Sequence, residues 1–126
     1  MRQAVSTPTA PAAIGPYSQA IKAGNLLFLS GQIPLDPATA TIVEGGIAAE
    51  TRQVFHHIGE ILKAAGVSFD AIVSATVYVA DMNDFGKVNE IYATCFATPA
   101  PARATVQVAR LPKDARVEIQ VIAALA

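Results

Sequence analysis

Residues 99–124 read PAPARATVQVARLPKDARVEIQVIAA, and this stretch decides the fold. Apolar and polar residues alternate on both sides of a turn at 111–114, which is the period-two pattern of a strand with one buried face. The apolar positions are Ala102, Ala104, Val106 and Val108 before the turn and Val117, Ile119, Val121 and Ala123 after it. The polar positions are Arg103, Thr105, Gln107, Arg116, Glu118 and Gln120. The pattern predicts a hairpin with one apolar face and one polar face.

Outward from this hairpin, the chain predicts three more strands and two helices. Strands are expected at 17–22, 26–30 and 71–80, after an extended lead-in over residues 1–16. Apolar residues at three-four spacing predict a helix at 47–65, ended by Gly66, and a second helix is expected at 81–96. This order predicts one domain over residues 1–126, in which two helices cover the apolar face of a sheet.

The sheet face away from the helices is expected to be polar but weakly charged. Its expected members are Ser74, Thr76, Tyr78, Thr105, Gln107 and Gln120. Such a face suits an interface or a cleft between subunits. A solvated antiparallel sheet has the same composition, and the pattern favours neither reading.

Arg103 and Glu118 are the residues of this face that offer the most chemistry. A guanidinium binds a carboxylate through two parallel hydrogen bonds, so Arg103 is a candidate anchor for a small organic acid. Glu118, kept ionised by that positive charge, is a candidate to orient or deprotonate a water. The alternative, which the pattern alone favours, is a cross-strand salt bridge of little energetic value.

Composition narrows the classes of function. The net charge of −1 offers no basic field for nucleic acid. Only 15% of the residues are charged, against roughly 25% in an average soluble domain, so part of the surface is expected to be covered by a partner. One cysteine and no membrane-length apolar run predict a cytoplasmic protein without disulfides or membrane contact.

For several residues that could take part in chemistry, the sequence favours a structural role over a functional one. Cys95 lies on the apolar stripe of the second helix, which predicts a buried, unreactive thiol. His56 and Glu60 share a solvated helix face but make only two metal ligands, so no metal site is expected. Gly45 and Gly46 lack the residues of a phosphate-binding loop.

Five segments in series resemble the RidA/YjgF family. They are AAIGPYSQ at 12–19, SGQIP at 30–34, NDFGKVN at 83–89, PAR at 101–103 and VARLPKD at 108–114. The resemblance covers nearly the whole chain in the right order. It implies a chorismate mutase-like α+β fold, with a mixed β-sheet in the order β-β-α-β-α-β-β, and a homotrimer with clefts between subunits.

The resemblance also implies an activity. Members of this family are enamine/imine deaminases that hydrolyse reactive 2-aminoacrylate-type intermediates to 2-oxo acids and ammonia, which limits metabolite damage. The reaction requires no cofactor or metal. The expected partners are therefore a small imino or enamino acid and further copies of the chain.

The site residues of the family match positions of this sequence one at a time. Its catalytic, substrate-binding arginine matches Arg103, and its water-positioning glutamate matches Glu118. Further substrate-binding positions match Tyr17, Ser30, Gly31 and Asn89. Many members carry cysteine where this chain has Thr105, which leaves the substrate range open.

Two other classes of function compete with deamination. Some relatives are described as endoribonucleases or translation inhibitors, a reading that the net charge disfavours. A non-catalytic ligand-binding or chaperone-like module would not need Glu118. A paralogue acting on another imine, such as an aminomuconate-type deaminase or a member of a catabolic operon, is a third reading.

Overall fold

The computed structural model describes residues 1–125, in which two helices pack on one face of a six-stranded mixed sheet. The strands are β1 (Arg2–Val5), β2 (Ala20–Ala23), β3 (Leu26–Leu29), β4 (Leu35–Asp36), β5 (Thr41–Ile42), β6 (Ile72–Val79), β7 (Ala102–Gln107) and β8 (Val117–Ala124), and the helices are α1 (Gly46–Ala64) and α2 (Phe85–Cys95). The main sheet has the order β1-β2-β3-β8-β6-β7, while β4 and β5 form a separate ribbon. The predicted α+β architecture is confirmed. Within residues 1–125, neither helix is long and apolar enough to cross a membrane.

The predicted hairpin of residues 99–124 is wrong, because β6 lies between β7 and β8. β7 pairs parallel with β6, with Ala75 opposite Arg103, and β8 pairs antiparallel with β6, with Tyr78 opposite Glu118. Helix α2 supplies the crossover that two parallel strands require. The 111–114 turn therefore belongs to a connection around the end of β6, where Val108 N–H donates to the Val79 carbonyl at 2.9 Å.

Strand β7 also presents the opposite face to the one predicted. Thr105 is paired with buried Val77 and Gln107 with buried Val79, so both polar residues lie on the helix side. The small apolar residues Ala102, Ala104 and Val106 lie on the open face instead. On the other strands the prediction holds, because Val117, Ile119, Val121 and Ala123 are buried beneath the helices. β7 differs because it is an edge strand, whose helix-side residues are only partly covered.

The remaining differences are short strands that the sequence did not predict and small shifts at the ends of predicted elements. The lead-in contains β1, and the 35–42 loop contains the β4–β5 ribbon. Helix α1 begins and ends within a residue of the prediction, and Gly66 follows it at φ +81°, a conformation that favours glycine. Helix α2 starts later than predicted, after a 3₁₀ turn at Met82–Asp84.

A buried carboxylate on α1 holds the start of β8. Glu50 is fully buried, and its carboxylate accepts hydrogen bonds from Arg116 N–H at 2.8 Å and from Arg116 Nη1 at 2.5 Å. Because a buried charge needs such partners, this contact locks α1 to the strand that carries Glu118.

Candidate functional site

Arg103 leaves β7 on the helix side and lies against α2. Its Nη1 donates to Asn89 Oδ1 at 2.6 Å. Its guanidinium carbon is 4.7 Å from the centroid of the Tyr92 ring and 5.5 Å from that of Phe85. Arg103 is nevertheless exposed, and it forms no ion pair within residues 1–125. A cation is thus held in a defined orientation and is not neutralised by a carboxylate of the described chain.

A cleft of about 460 Å³ adjoins this cation. Arg103, Asn89 and Tyr92 line one part of it, and Phe96 and Pro101 line another. The cleft therefore combines a positive charge with apolar walls, the combination expected for a small organic acid.

Glu118 lies on the opposite side of the sheet, against Gly31. Gln32 N–H donates to the Ile119 carbonyl at 2.9 Å, and this bridge brings the 30–32 segment alongside β8. A Cβ atom at position 31 would collide with the Glu118 carboxylate, so any other residue there must displace that carboxylate. Burial raises the pKa of Glu118 above its ordinary value of 4.5. Among the described residues, the carboxylate has neither an ion-pair partner nor a hydrogen-bond partner to offset that burial.

A second cleft, of about 470 Å³, opens on the same face as Glu118. Tyr17, Phe28, Ser30 and Gln120 contribute to its walls. The Ser30 hydroxyl donates to the Ser18 carbonyl at 2.6 Å, which commits its proton and leaves its oxygen to accept from a ligand. Tyr17 is 54% exposed at the cleft. The structure thus places the predicted residue Gly31 against Glu118, and Tyr17 and Ser30 at a cleft on the same face of the sheet.

Arg103 and Glu118 do not meet within one chain. Arg103 is opposite Ala75 on β6 and Glu118 is opposite Tyr78, three positions further along. Because strand residues an odd number apart point to opposite faces, the two side chains lie on different sides of the sheet. The expected cross-strand pairing is therefore wrong. The sequence also predicted that a nearby positive charge keeps Glu118 ionised. Within the chain the opposite holds, because burial raises the pKa of Glu118 and makes it easier to protonate.

The two other predicted residues lie beside Arg103. Asn89 contacts the arginine directly, and Thr105 is on the same side of β7 with its Oγ1 buried and without a partner in the described chain. The sequence reasoning missed Tyr92 and Phe85 as contacts of Arg103. Their spacing with Asn89, at i, i+4 and i+7 of one helix, is the signal that would have found them.

His57 and Cys95 make the contacts of residues with a structural role. His57 is fully buried, and its Nε2–H donates to the Leu35 carbonyl at 2.7 Å, while burial lowers its pKa. Cys95 is half-buried rather than buried as predicted, because it lies near the end of α2. Its Sγ donates to the Ile91 carbonyl at 3.6 Å, and burial raises the pKa of the thiol. Residues 1–125 contain no cluster of three or more side chains placed to hold a metal ion.

Comparison with known proteins adds independent findings to this geometry. The family model described as Endoribonuclease L-PSP matches residues 7–125. The 2-iminobutanoate/2-iminopropanoate deaminase of Mus musculus is 54% identical over 98% of this chain and 91% of that protein. The structure of RidA from an Antarctic Psychrobacter species has a TM-score of 0.92 and 45% identity, covering 97% of this chain and 98% of that one. The structure of E. coli TdcF with bound serine has a TM-score of 0.92 and 41% identity, covering 98% and 99%. These likenesses confirm the chorismate mutase-like fold that the sequence resemblance implied.

Proposed function

The chain belongs to the RidA/YjgF family of imine deaminases, and we propose that it hydrolyses 2-aminoacrylate-type enamines and imines in clefts between copies of itself. The observation that carries this proposal is the exposure, orientation and pairing of the Arg103 guanidinium. Its guanidinium is exposed beside a cleft and oriented by Asn89, yet it has no ion-pair partner within residues 1–125. A planar guanidinium that is exposed and has no ion-pair partner in the described chain can bind the carboxylate of an imino acid through two parallel hydrogen bonds. Serine, which TdcF binds, also carries a carboxylate.

Arg103 and Glu118 would divide the chemistry between them. The carboxylate of the substrate would bind the guanidinium, which holds the imine carbon in place for attack. Glu118 would orient the attacking water and take its proton as the C–O bond forms. That proton would pass to the imine nitrogen, which gives a carbinolamine. Glu118 would then transfer the proton of the carbinolamine hydroxyl to the same nitrogen, so that the C=O bond of the 2-oxo acid forms as the C–N bond breaks and ammonia leaves. A half-buried carboxylate with a raised pKa suits both receiving and returning a proton.

A site between copies follows from the positions of the two residues. Arg103 and Glu118 occupy opposite faces of one sheet, so they can serve one substrate only when a second copy supplies one of them. The open face carries exposed apolar side chains, among them Phe28 and Val106, each 40% exposed. We propose a homotrimer that covers this face, with Tyr17, Ser30 and Gly31 beside Glu118 on one copy. Arg103, Asn89 and Thr105 would come from its neighbour.

Mixed assemblies test the proposal directly. Arg103→Ala and Glu118→Gln chains are each expected to be strongly impaired, with a measurable residual rate, as pure proteins in a coupled assay, in which a dehydratase generates 2-aminoacrylate and 2-oxo acid release is timed. Co-expressed in equal amounts, they should regain activity, because about a quarter of the interfaces then join an intact arginine to an intact glutamate. Activity no higher than that of either pure variant would refute a shared site. Light scattering that gives the mass of a single chain would refute the assembly.

An endoribonuclease activity, suggested by the description of the family model, is less well supported. The net charge is −1, whereas binding of the phosphate backbone needs concentrated Lys and Arg. Salt-dependent RNA binding that competes with 2-oxo acid formation would favour that alternative.

A further inference from the structure

The face of α2 toward β7 holds the Arg103 side chain from three directions. Phe85, Asn89 and Tyr92 are spaced four and three residues apart, which places them on one side of the helix. Asn89 accepts a hydrogen bond from Nη1, while the two aromatic rings lie within about 6 Å of the guanidinium, the range of a cation–π contact.

We propose that Tyr92, assisted by Phe85, is a positioning residue that fixes the plane of the Arg103 guanidinium for two-point binding of the substrate carboxylate. This inference rests on the proposed function of Arg103. A single hydrogen bond to Asn89 leaves the guanidinium free to rotate about that bond. A ring face beneath the cation removes this freedom, and two parallel hydrogen bonds to a carboxylate require a defined plane.

Tyr92 is itself a rigid platform. It is 5% exposed, and its ring packs against Phe96 at 4.6 Å and edge-on against Phe55 at 5.9 Å between centroids. Burial raises the pKa of the Tyr92 phenol, although Arg103 opposes this shift. The ring therefore stays neutral, and it acts on Arg103 through its π face.

Two substitutions of Tyr92 can test the role of its hydroxyl and the role of its ring separately. The phenol oxygen is buried and has no hydrogen-bond partner in the described part of the chain. Replacing tyrosine by phenylalanine therefore removes no hydrogen bond to a described residue and keeps the ring under the cation. Replacing it by leucine removes the ring but keeps the position apolar.

Steady-state kinetics of the assembled protein test this role. Tyr92→Leu should raise KM and lower kcat/KM for a carboxylate-bearing imine by about two- to thirtyfold, the range expected from a lost cation–π contact. Tyr92→Phe should restore the KM. Phe69→Leu is the matched control, since Phe69 packs against Phe55 and Phe96 in the same aromatic cluster and, within the described chain, makes no ring contact with Tyr92 and no cation–π contact with Arg103. It should lower Tm comparably while KM stays within about twofold. Phe85→Leu removes the more distant ring and should raise KM less. It tests the positioning role if Tyr92→Leu does not fold.

A double-variant experiment separates failure of this inference from failure of the proposed function. With Arg103→Ala already present, Tyr92→Leu should lower kcat/KM no further, because the Tyr92 ring then has no guanidinium to orient. An unchanged KM in folded Tyr92→Leu, or a KM increase equal to that of Phe69→Leu, would overturn the positioning role while leaving Arg103 as substrate anchor. Full activity in Arg103→Ala alone would overturn the proposed function, and this inference with it.

Discussion

The Arg103 region and the Glu118 region lie on opposite faces of one sheet and are built in opposite ways. Arg103 is an exposed charge that side chains of α2 hold by a hydrogen bond and ring contacts. Glu118 is a half-buried charge shaped by backbone, with a glycine against its carboxylate and no paired cation in the described chain. The first region has the features of an anchor, and the second has those of a proton acceptor.

The contrast shows that each region lacks what the other offers. A fixed cation without a base can bind an acid but cannot activate water. A carboxylate with a raised pKa can accept a proton but has no means of holding an anionic substrate. Under the proposed function, one chain contains both halves of the site and a second copy completes it, and the following predictions test the two halves separately.

The largest effect is expected at the base. Glu118→Gln keeps the shape of the side chain but cannot accept a proton, so kcat should fall about 10²–10⁴-fold in the coupled 2-oxo acid assay. Glu60→Gln on α1 is the control for loss of a carboxylate and should leave kcat unchanged. Wild-type kcat in Glu118→Gln would show that Glu118 is not the proton acceptor.

A methyl group at position 31 should have the next largest effect. In Gly31→Ala the new Cβ must displace the Glu118 carboxylate, and a displacement of about 1 Å at a reacting group costs on the order of 10²-fold in kcat/KM. Gly86→Ala is the matched control, because a Cβ there meets nothing within 4 Å. It should keep full activity and stabilise the protein by about 0.5–1 kcal/mol in urea unfolding. Equal kcat/KM in the two variants would separate Gly31 from the site.

The anchor should be more sensitive to geometry than to charge. Arg103→Lys keeps the charge but loses the planar fork, so kcat/KM should fall about ten- to a hundredfold with little change in Tm. The same replacement at exposed Arg52 on α1 should change neither quantity. A loss of Tm with full activity would show that Arg103 is structural.

Replacement of two carboxylates of this protein should have different effects on the free energy of unfolding. Glu50→Ala removes the partners of Arg116 and should lower the free energy of unfolding by about 1.5–3 kcal/mol, since bonds to a charged group are lost from a buried site. Glu118→Gln removes a charge that has no such partners and should not lower stability at neutral pH. Urea denaturation of both variants measures the difference, and equal losses would contradict it.

The pH dependence of stability should identify Glu118 by its sign. Its folded-state pKa is raised above 4.5 by burial, so the folded state binds more protons than the unfolded state between these two values. The contribution of Glu118 to stability is therefore present below pH 4.5 and is lost as pH rises through the folded pKa. Glu118→Gln should remove this slope. If a second copy places its arginine near Glu118, Arg103→Ala should raise the Glu118 pKa in a ¹³C-detected titration, and an unchanged value would argue against the shared site.

Sequence periodicity determined the local structure of this protein. The three-four repeat of α1 and the glycine that follows it defined that helix within a residue at each end. The alternation of 99–124 correctly predicted two strands, and it singled out Arg103 and Glu118 as the polar residues of interest. These features are encoded locally, because a helix or strand repeats its own pattern whichever element lies beside it.

Only the tertiary structure decided which strands are neighbours and which face of β7 meets the helices. A period of two is the same whether a strand pairs with the next in sequence or with one beyond it, so nothing in residues 99–124 excluded a hairpin. Placing β6 between β7 and β8 turned Arg103 toward α2 and Glu118 toward the open face. The separation of Arg103 and Glu118 is therefore a consequence of long-range strand pairing, which depends on the packing of α2 across the sheet and not on any local pattern.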